Sequence, residues 1–257
     1  MNIKAIAIDM DGTMLNDGKT ISDYNQTMID TIKSNVHVIL SSARGMGSLN
    51  TYIDQLGLHG DNQYTVAYNG GYIIDGNGHV LDSSPIDVSI GKALIEFLVA
   101  TTQSLEVTIY TNDRIIPVNK VVDLSNFLDQ HPIYKIGAIG DKQEVDRIRA
   151  LIPESFNQTM AITSDKVSIE CVAMGLSKAK GLQLVLDRLG LTNAHLCAIG
   201  DAENDIQMLD MAAYGIAMGN ADPILLPHAD HISDDNNHDG VGKAIQYLID
   251  QKLIVLE

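Results

Sequence analysis

Residues 6–15 read "IAIDMDGTML". An apolar run ends in Asp9 and Asp11, one residue apart, and Gly12-Thr13 follows. In extended backbone, positions i and i+2 share a face, so both carboxylates can point into one crevice. Two like charges at the end of a buried strand repel and lose hydration unless something positive compensates them. Asp-Gly is also a common turn dipeptide, and Asp9 could simply end the strand. The strongly apolar "IKAIAI" ahead of the pair favours a site at a strand end over a surface turn.

The chain around this stretch alternates strand and helix. "IKAIAID" reads as a buried strand, Met28, Ile29 and Ile32 mark a helix face, and "VHVILS" is a second strand. A helix over about 47–56 and a strand "YTVAY" follow. Strands separated by helical patterns imply βαβ units and a parallel sheet. Residues 71–82, "GYIIDGNGHVLD", then form a hairpin around Asp75-Gly76-Asn77-Gly78. From 83 to about 173 the pattern shifts to helices among antiparallel pairs, with turns at 111–113 and at Asp165. After Gly175 the first rhythm resumes: Leu182, Val185, Leu186 and Leu189 form a helix stripe, "AHLCAIG" a strand, and Val241 to Ile249 a closing amphipathic helix. The predicted fold class is α/β: a Rossmann-like parallel-sheet core, residues 1–82 and 174–257, with an inserted α+β domain at 83–173.

In such sheets ligands bind outside the carboxyl ends of the strands. Four polar clusters fall there. Asp9 and Asp11 form the first. Ser42 and Arg44 form the second, in "SSARG" between strand and helix, where a helix start offers N–H groups to a phosphate; a Ser cap with a surface Arg is the plain alternative. The third is Lys178, with Lys180 as competitor; either could merely solvate a helix. The fourth is "GDAEND", where Asp201 suits a helix cap and Asp201, Asn204 and Asp205 fall on one helical face. Its density of acidic residues exceeds what capping requires.

Hard oxygen ligands at two strand ends, without His/Cys metal spacing, point to Mg2+ rather than zinc. Magnesium beside Ser, Arg or Lys is phosphate chemistry. No GxxxxGK[ST] loop is present, which excludes a P-loop engine. The formal net charge of −16 argues against nucleic acid as a partner. No apolar run reaches membrane-span length, and "MNIKAIAIDMDG" is not signal-like, so a cytoplasmic protein with reduced Cys171 and Cys197 is expected.

Together the clusters resemble the four motifs of the haloacid dehalogenase (HAD) superfamily: "DMDGT", Ser42 in "VILSSAR", Lys178 and "GDAEND". "AYNGG" around Asn69 and "IAMGNA" around Asn220 resemble further pieces of its Cof-type, subfamily IIB branch, whose C2B cap is inserted where the α+β segment lies here. The resemblance implies that Asp9 is the phosphoryl-accepting nucleophile and a Mg2+ ligand. It implies that Asp11 is the general acid/base, its main-chain carbonyl binding metal. Asp201 would complete the metal ligands, with Asp205 supporting them from behind. Ser42 and Lys178 would hold the phosphoryl oxygens, and Arg44 and Asn204 would assist. The family's helical count favours Lys178 over Lys180.

The chain departs from the family at Ser42-Ala43-Arg44, where Thr-Gly-Arg is usual, and at Leu226, near which relatives carry a lysine. The function implied is a phosphatase of small phosphorylated metabolites. A phosphomutase or a non-catalytic binder of phosphometabolites are the alternatives, and oligomeric state is not readable.

Overall fold

The computed structural model describes residues 2–164 and 167–256. In chain order it runs β1 (Ala5–Ile8), α1 (Asp23–Ile32), β2 (His37–Ser41), α2 (Met46–Leu56), β3 (Gly60–Ala67), β4 (Tyr72–Gly76) and β5 (Val80–Ser83). Then come α3 (Val88–Thr101), β6 (Glu106–Thr111), β7 (Ile115–Pro117), α4 (Leu124–Gln130), β8 (Ile133–Ile139), α5 (Lys142–Leu151), α6 (Glu154–Asn157), β9 (Met160–Ser164) and β10 (Ser168–Ala173). The chain closes with α7 (Lys178–Leu189), β11 (Leu196–Gly200), α8 (Ile206–Met211), β12 (Tyr214–Ala217), β13 (His231–Ile232) and α9 (Gly240–Asp250).

These elements fall into two compact units, 1–43 with 49–82 and 177–257, and 44–48 with 83–176. In the first unit, eight strands run in the order β13-β12-β11-β1-β2-β3-β4-β5. The six from β13 to β3 are parallel, and β4 turns back antiparallel to β3. Every residue of β1 is buried, as a central parallel strand covered on both faces requires. β1 lies between β11 and β2, so the chain leaves the sheet at Asp9, Ser42 and Asp201 from three adjacent, parallel strand ends. The strand order spreads outward from β1 in both directions, which leaves a crevice at those ends.

Helices close this sheet by their apolar faces. α1 starts at Ser22, whose side chain accepts from the Asn25 amide, and buries Met28, Ile29 and Ile32. It packs against α9, where the Gly242 amide donates to Asn25 Oδ1 at 2.7 Å. α7 ends at Gly190 in the left-handed conformation. At its other end Ser177 caps the helix and Lys178 is its first residue. A lysine there opposes the helix dipole, so its burial needs another cause.

The second unit has a five-stranded antiparallel sheet, β7-β6-β8-β10-β9. One face buries Val107, Ile109, Ile136, Ala138, Ile169 and Cys171 against Leu94, Ile95 and Leu98 of α3 and Val145 and Ile148 of α5. The alternate positions carry polar groups, including Lys135, which donates to Glu170 at 2.7 Å and lies 4.6 Å from the Tyr110 ring centre. The turn anticipated at Asp165 lies outside the described residues. α4 and α6 are too short for a helical stripe to announce them; α4 is started by Asp123, which accepts from the Asn126 amide.

One carboxylate in this unit gives a pH prediction. Glu144 accepts two hydrogen bonds from Arg147 and one from the Gln103 amide. The Arg147 guanidinium and that amide hold its pKa down at about 2, against 4.5 ordinarily. A folded-state pKa below the unfolded one contributes stability that is present above about 4.5 and lost as pH falls toward 2. Thermal melts of a Glu144→Gln protein between pH 5 and 2 should therefore show a shallower acid decline than wild type.

Candidate active site

The backbone after β1 is a tight coil held by its own amides. Met14 donates to the Asp9 carbonyl at 3.2 Å and Leu15 to that of Met10 at 2.8 Å. The turn depends on Gly12, whose φ is +81°. A Cβ there would lie 2.3 Å from Asp201 Oδ2. Asp201 approaches so closely because Thr13 Oγ1 donates to its Oδ1 at 2.7 Å. Gly12→Ala thus meets both a disfavoured backbone and a clash with a site carboxylate. We expect at least a tenfold loss of activity, on the order of the ~1–3 kcal/mol that local strain costs; phosphate release by a folded, purified variant checks it.

The two carboxylates that posed the electrostatic problem pair with different lysines. Asp9 is buried, and Lys178 Nζ donates to its Oδ1 at 2.5 Å. Asp11 is part-exposed, and Lys19 Nζ donates to its Oδ1 at 2.7 Å. Lys178 is 1% exposed and also donates to Asp205 Oδ1 at 2.6 Å. Two buried anions explain why a cation occupies the start of α7. Lys180, the competitor, is exposed.

Asp205 is fully buried, and its other oxygen accepts from the Asp201 and Ala202 amides at 2.9 and 3.1 Å. The "GDAEND" segment is therefore not the first turn of an α-helix. Residues 203–205 form a 3-10 turn, and Asp205 reaches back to tie down the strand end. Gly200 makes this possible, since a Cβ there would lie 2.6 Å from Asp205. The expected single face for Asp201, Asn204 and Asp205 is split accordingly. Asn204 is exposed and donates to Asn69 Oδ1 at 3.3 Å.

Asp9, Asp201 and Asp205 offer oxygens within 4.8 Å of one another. With all three ionised, the Lys178 ammonium would leave two negative charges uncompensated. Burial pushes the Asp9 carboxyl up to about 7, with Lys178 pulling against it and Asp205 adding to the rise. Burial raises Asp201 as well, against the hydrogen bond from Thr13. An oxygen-lined cluster whose carboxylates outnumber the buried ammonium beside them fits a divalent cation.

Ser42 is buried where the chain leaves β2; its amide donates to Val66 O at 2.8 Å and its carbonyl accepts from Asn69 at 2.9 Å. The turn carrying Asn69 is strained, with Tyr68 and Asn69 both at φ 53°. Next to Ser42, the Ser41 hydroxyl is the one buried side-chain polar atom without a partner among the described residues. Arg44 is half-buried in the bend between β2 and α2 and groups with the second unit. Asn220 donates to the Gly12 carbonyl at 2.8 Å, pinning the same coil from β12's side. Leu226, where a lysine was expected, is exposed; the Asp222 amide instead supports Asp201 through its carbonyl at 2.8 Å. Lys19 and Thr13 were not singled out in the sequence. Thr13 stood next to the paired aspartates, but only folding of the 16–20 turn brings Lys19 back to Asp11.

Residues 6–245 match the family model of the haloacid dehalogenase-like hydrolases. The chain belongs to that family. It is 34% identical over 255 residues, 97% of each chain, to a 5-amino-6-(5-phospho-D-ribitylamino)uracil phosphatase of Bacillus subtilis (strain 168). A second phosphatase of that name and organism is 28% identical, with 94% of this chain and 96% of the relative covered. Among solved structures, a haloacid dehalogenase-like hydrolase from Bacteroides thetaiotaomicron superposes with a TM-score of 0.86 at 25% identity, covering 96% of this chain and 100% of that one. This HAD hydrolase is a phosphatase of the Cof-type, subclass IIB branch. Among its described residues no helix is long and apolar enough to cross a membrane.

Proposed function

We propose that the protein is a Mg2+-dependent phosphatase that hydrolyses small phosphomonoesters through an aspartyl-phosphate on Asp9. The observation that carries the reading is Asp9 itself: a buried carboxylate at the end of the central strand, ion-paired to a buried lysine inside a cluster of three carboxylates.

Asp9, the main-chain carbonyl of Asp11 and Asp201 would hold Mg2+, with Asp205 steadying them. When bound, the ion offsets charge on the phosphoryl oxygens and keeps Asp9 ionised. The protein's side chains do the rest. An Asp9 oxygen attacks phosphorus, and the bond from phosphorus to the ester oxygen breaks. Asp11 gives its proton to the departing alkoxide, and an alcohol leaves. Asp11, now a carboxylate, takes a proton from water as that water attacks the aspartyl-phosphate. The Asp9–phosphorus bond breaks, inorganic phosphate leaves and both carboxyls return to their starting state. Lys178 and Ser42 stabilise charge on the transferring oxygens, with Asn204 and Arg44 assisting.

Two relatives are phosphatases of 5-amino-6-(5-phospho-D-ribitylamino)uracil, a primary phosphate on a ribityl chain attached to a pyrimidine. That ester is the first substrate to try. Purified protein should release phosphate from it, or from a sugar phosphate, with Mg2+ and not with a chelator. Isomerised sugar phosphate without free phosphate would favour a mutase instead. No phosphate release from any phosphorylated metabolite with Mg2+ present would sink the reading.

A further inference from the structure

The groups that would hold a cation sit on two segments at the edge of the sheet's reach. The β1–β11 pairing runs to Ile8 and Ile199, with a last bond from the Asp9 amide to the Ile199 carbonyl at 3.0 Å. Asp11 and Asp201 lie beyond it. Thr13 joins the two segments by a side chain, through the Asp201 carboxylate itself.

A backbone link comes from the turn after β12, residues 218–222. The Met218 amide donates to the Gly200 carbonyl at 3.0 Å and the Asp222 amide to the Asp201 carbonyl at 2.8 Å, which seats the turn on the end of β11. β12 is not a neighbour of β1, because β11 lies between them. Asn220 reaches across that strand end and donates from Nδ2 to the Gly12 carbonyl at 2.8 Å. One turn thus grips main-chain carbonyls on both segments. The reach of Asn220 is itself set. Its Oδ1 accepts from the Asn236 amide at 3.0 Å, so both ends of its side-chain amide are committed to the protein. The Gly219 amide donates to the Asp234 carbonyl at 3.1 Å. Asn236 is buried, and its side chain donates to the Leu15 carbonyl at 3.0 Å, at the far end of the same coil. Asn220 is exposed, and an exposed hydrogen bond exchanges with water at little net gain. What the bond to Gly12 fixes is spacing.

We infer that Asn220 is a positioning residue: a clamp that sets the distance between the Asp9–Asp11 coil and the Asp201 strand end, and by that distance favours Mg2+. The inference rests on the reading of Asp9, the Asp11 carbonyl and Asp201 as the ion's ligands. Mg2+ demands near-octahedral oxygens at about 2.0–2.1 Å, whereas Ca2+ accepts oxygens at about 2.3–2.6 Å in a flexible shell. Loosening the clamp therefore penalises the smaller ion more.

The two ions provide the test. Melting temperature is followed against Mg2+ and against Ca2+, without substrate, for wild type, Asn220→Ala, Asn220→Ser and Ser22→Ala. Ser22→Ala removes the cap of α1, outside the clamp, and reports lost stability alone. Serine at 220 keeps a polar side chain too short to reach the Gly12 carbonyl, and it stands in if the alanine variant fails to fold. Both Asn220 variants should need about tenfold more Mg2+ for the half-maximal rise, the low end of what groups behind metal ligands contribute, and less than about threefold more Ca2+. Ser22→Ala should leave both midpoints in place. An unmoved Mg2+ midpoint in the Asn220 variants, equal shifts for the two ions, or the same shift in Ser22→Ala would overturn the inference while leaving the proposed function standing. A wild type that Mg2+ does not stabilise would also overturn it, and if that protein releases no phosphate the proposed function falls with it.

Discussion

Asp9→Asn is expected to reduce phosphate release by about a thousandfold or more while leaving the protein folded. The amide keeps the volume and still accepts from Lys178, so the buried contact survives. What disappears is the nucleophile, because an amide oxygen cannot form a stable acyl-phosphate here. The variant also carries one negative charge fewer among Asp201 and Asp205, so Mg2+ should raise its melting temperature less than it raises that of wild type. Circular dichroism and thermal melts in both states separate lost chemistry from lost fold. Wild-type turnover by a folded Asp9→Asn protein would place the chemistry elsewhere.

Lys178→Met should be the most destabilising single change at this site. Lys178 is 1% exposed and bonded to two carboxylates that are themselves buried. Removing one partner of a buried ion cluster costs about 3–5 kcal/mol, since the remaining charges lose their compensation. In the variant, Asp9, already raised by burial, loses the lysine that pulls against that rise and holds its proton more tightly in the folded state than in the unfolded one. Raised folded pKa values mean that stability falls as pH rises through them and recovers as pH drops. The Lys178→Met protein should therefore melt closest to wild type near pH 5 and furthest below it near pH 8, with Mg2+ narrowing the gap. Chemical denaturation at the two pH values measures this. A uniform loss across pH would mean that the lysine serves packing rather than charge compensation. Phosphate release should fall with stability restored, because a cation facing the transferring oxygens is gone.

Much of this arrangement is legible in the chain because strand ends announce themselves. An apolar run stopping at Asp9, a second stopping at Ser41-Ser42 and a third at Gly200-Asp201 are local signals. Parallel pairing then sets those ends side by side. The distinction between Lys178 and Lys180 came from helical count in the resemblance. The fold gives its physical counterpart, since one is buried between anions and the other faces solvent. What the pattern could not reveal depends on how the chain turns back on itself over a few residues. Lys19 meets Asp11 through a turn whose left-handed residue has no sequence mark. Asp205 reaches back to the Asp201 amide instead of extending a helix, because Gly200 leaves room for it. The short α4 and α6 carry too few residues for periodicity to appear.

The central claim is that Asp9 carries the phosphoryl group. The most direct measurement uses the Asp11→Asn protein, mixed with Mg2+ and a substrate that wild type hydrolyses, quenched in acid and analysed by intact and peptide mass spectrometry. A p-nitrophenyl ester serves as the donor, since its departure does not wait on Asp11. The account predicts one phosphoryl group per chain, on the peptide containing Asp9, because transfer proceeds while the water that would remove it goes unactivated. Phosphorylation at any other residue, or an unmodified chain while p-nitrophenol is still released in a burst, would contradict it.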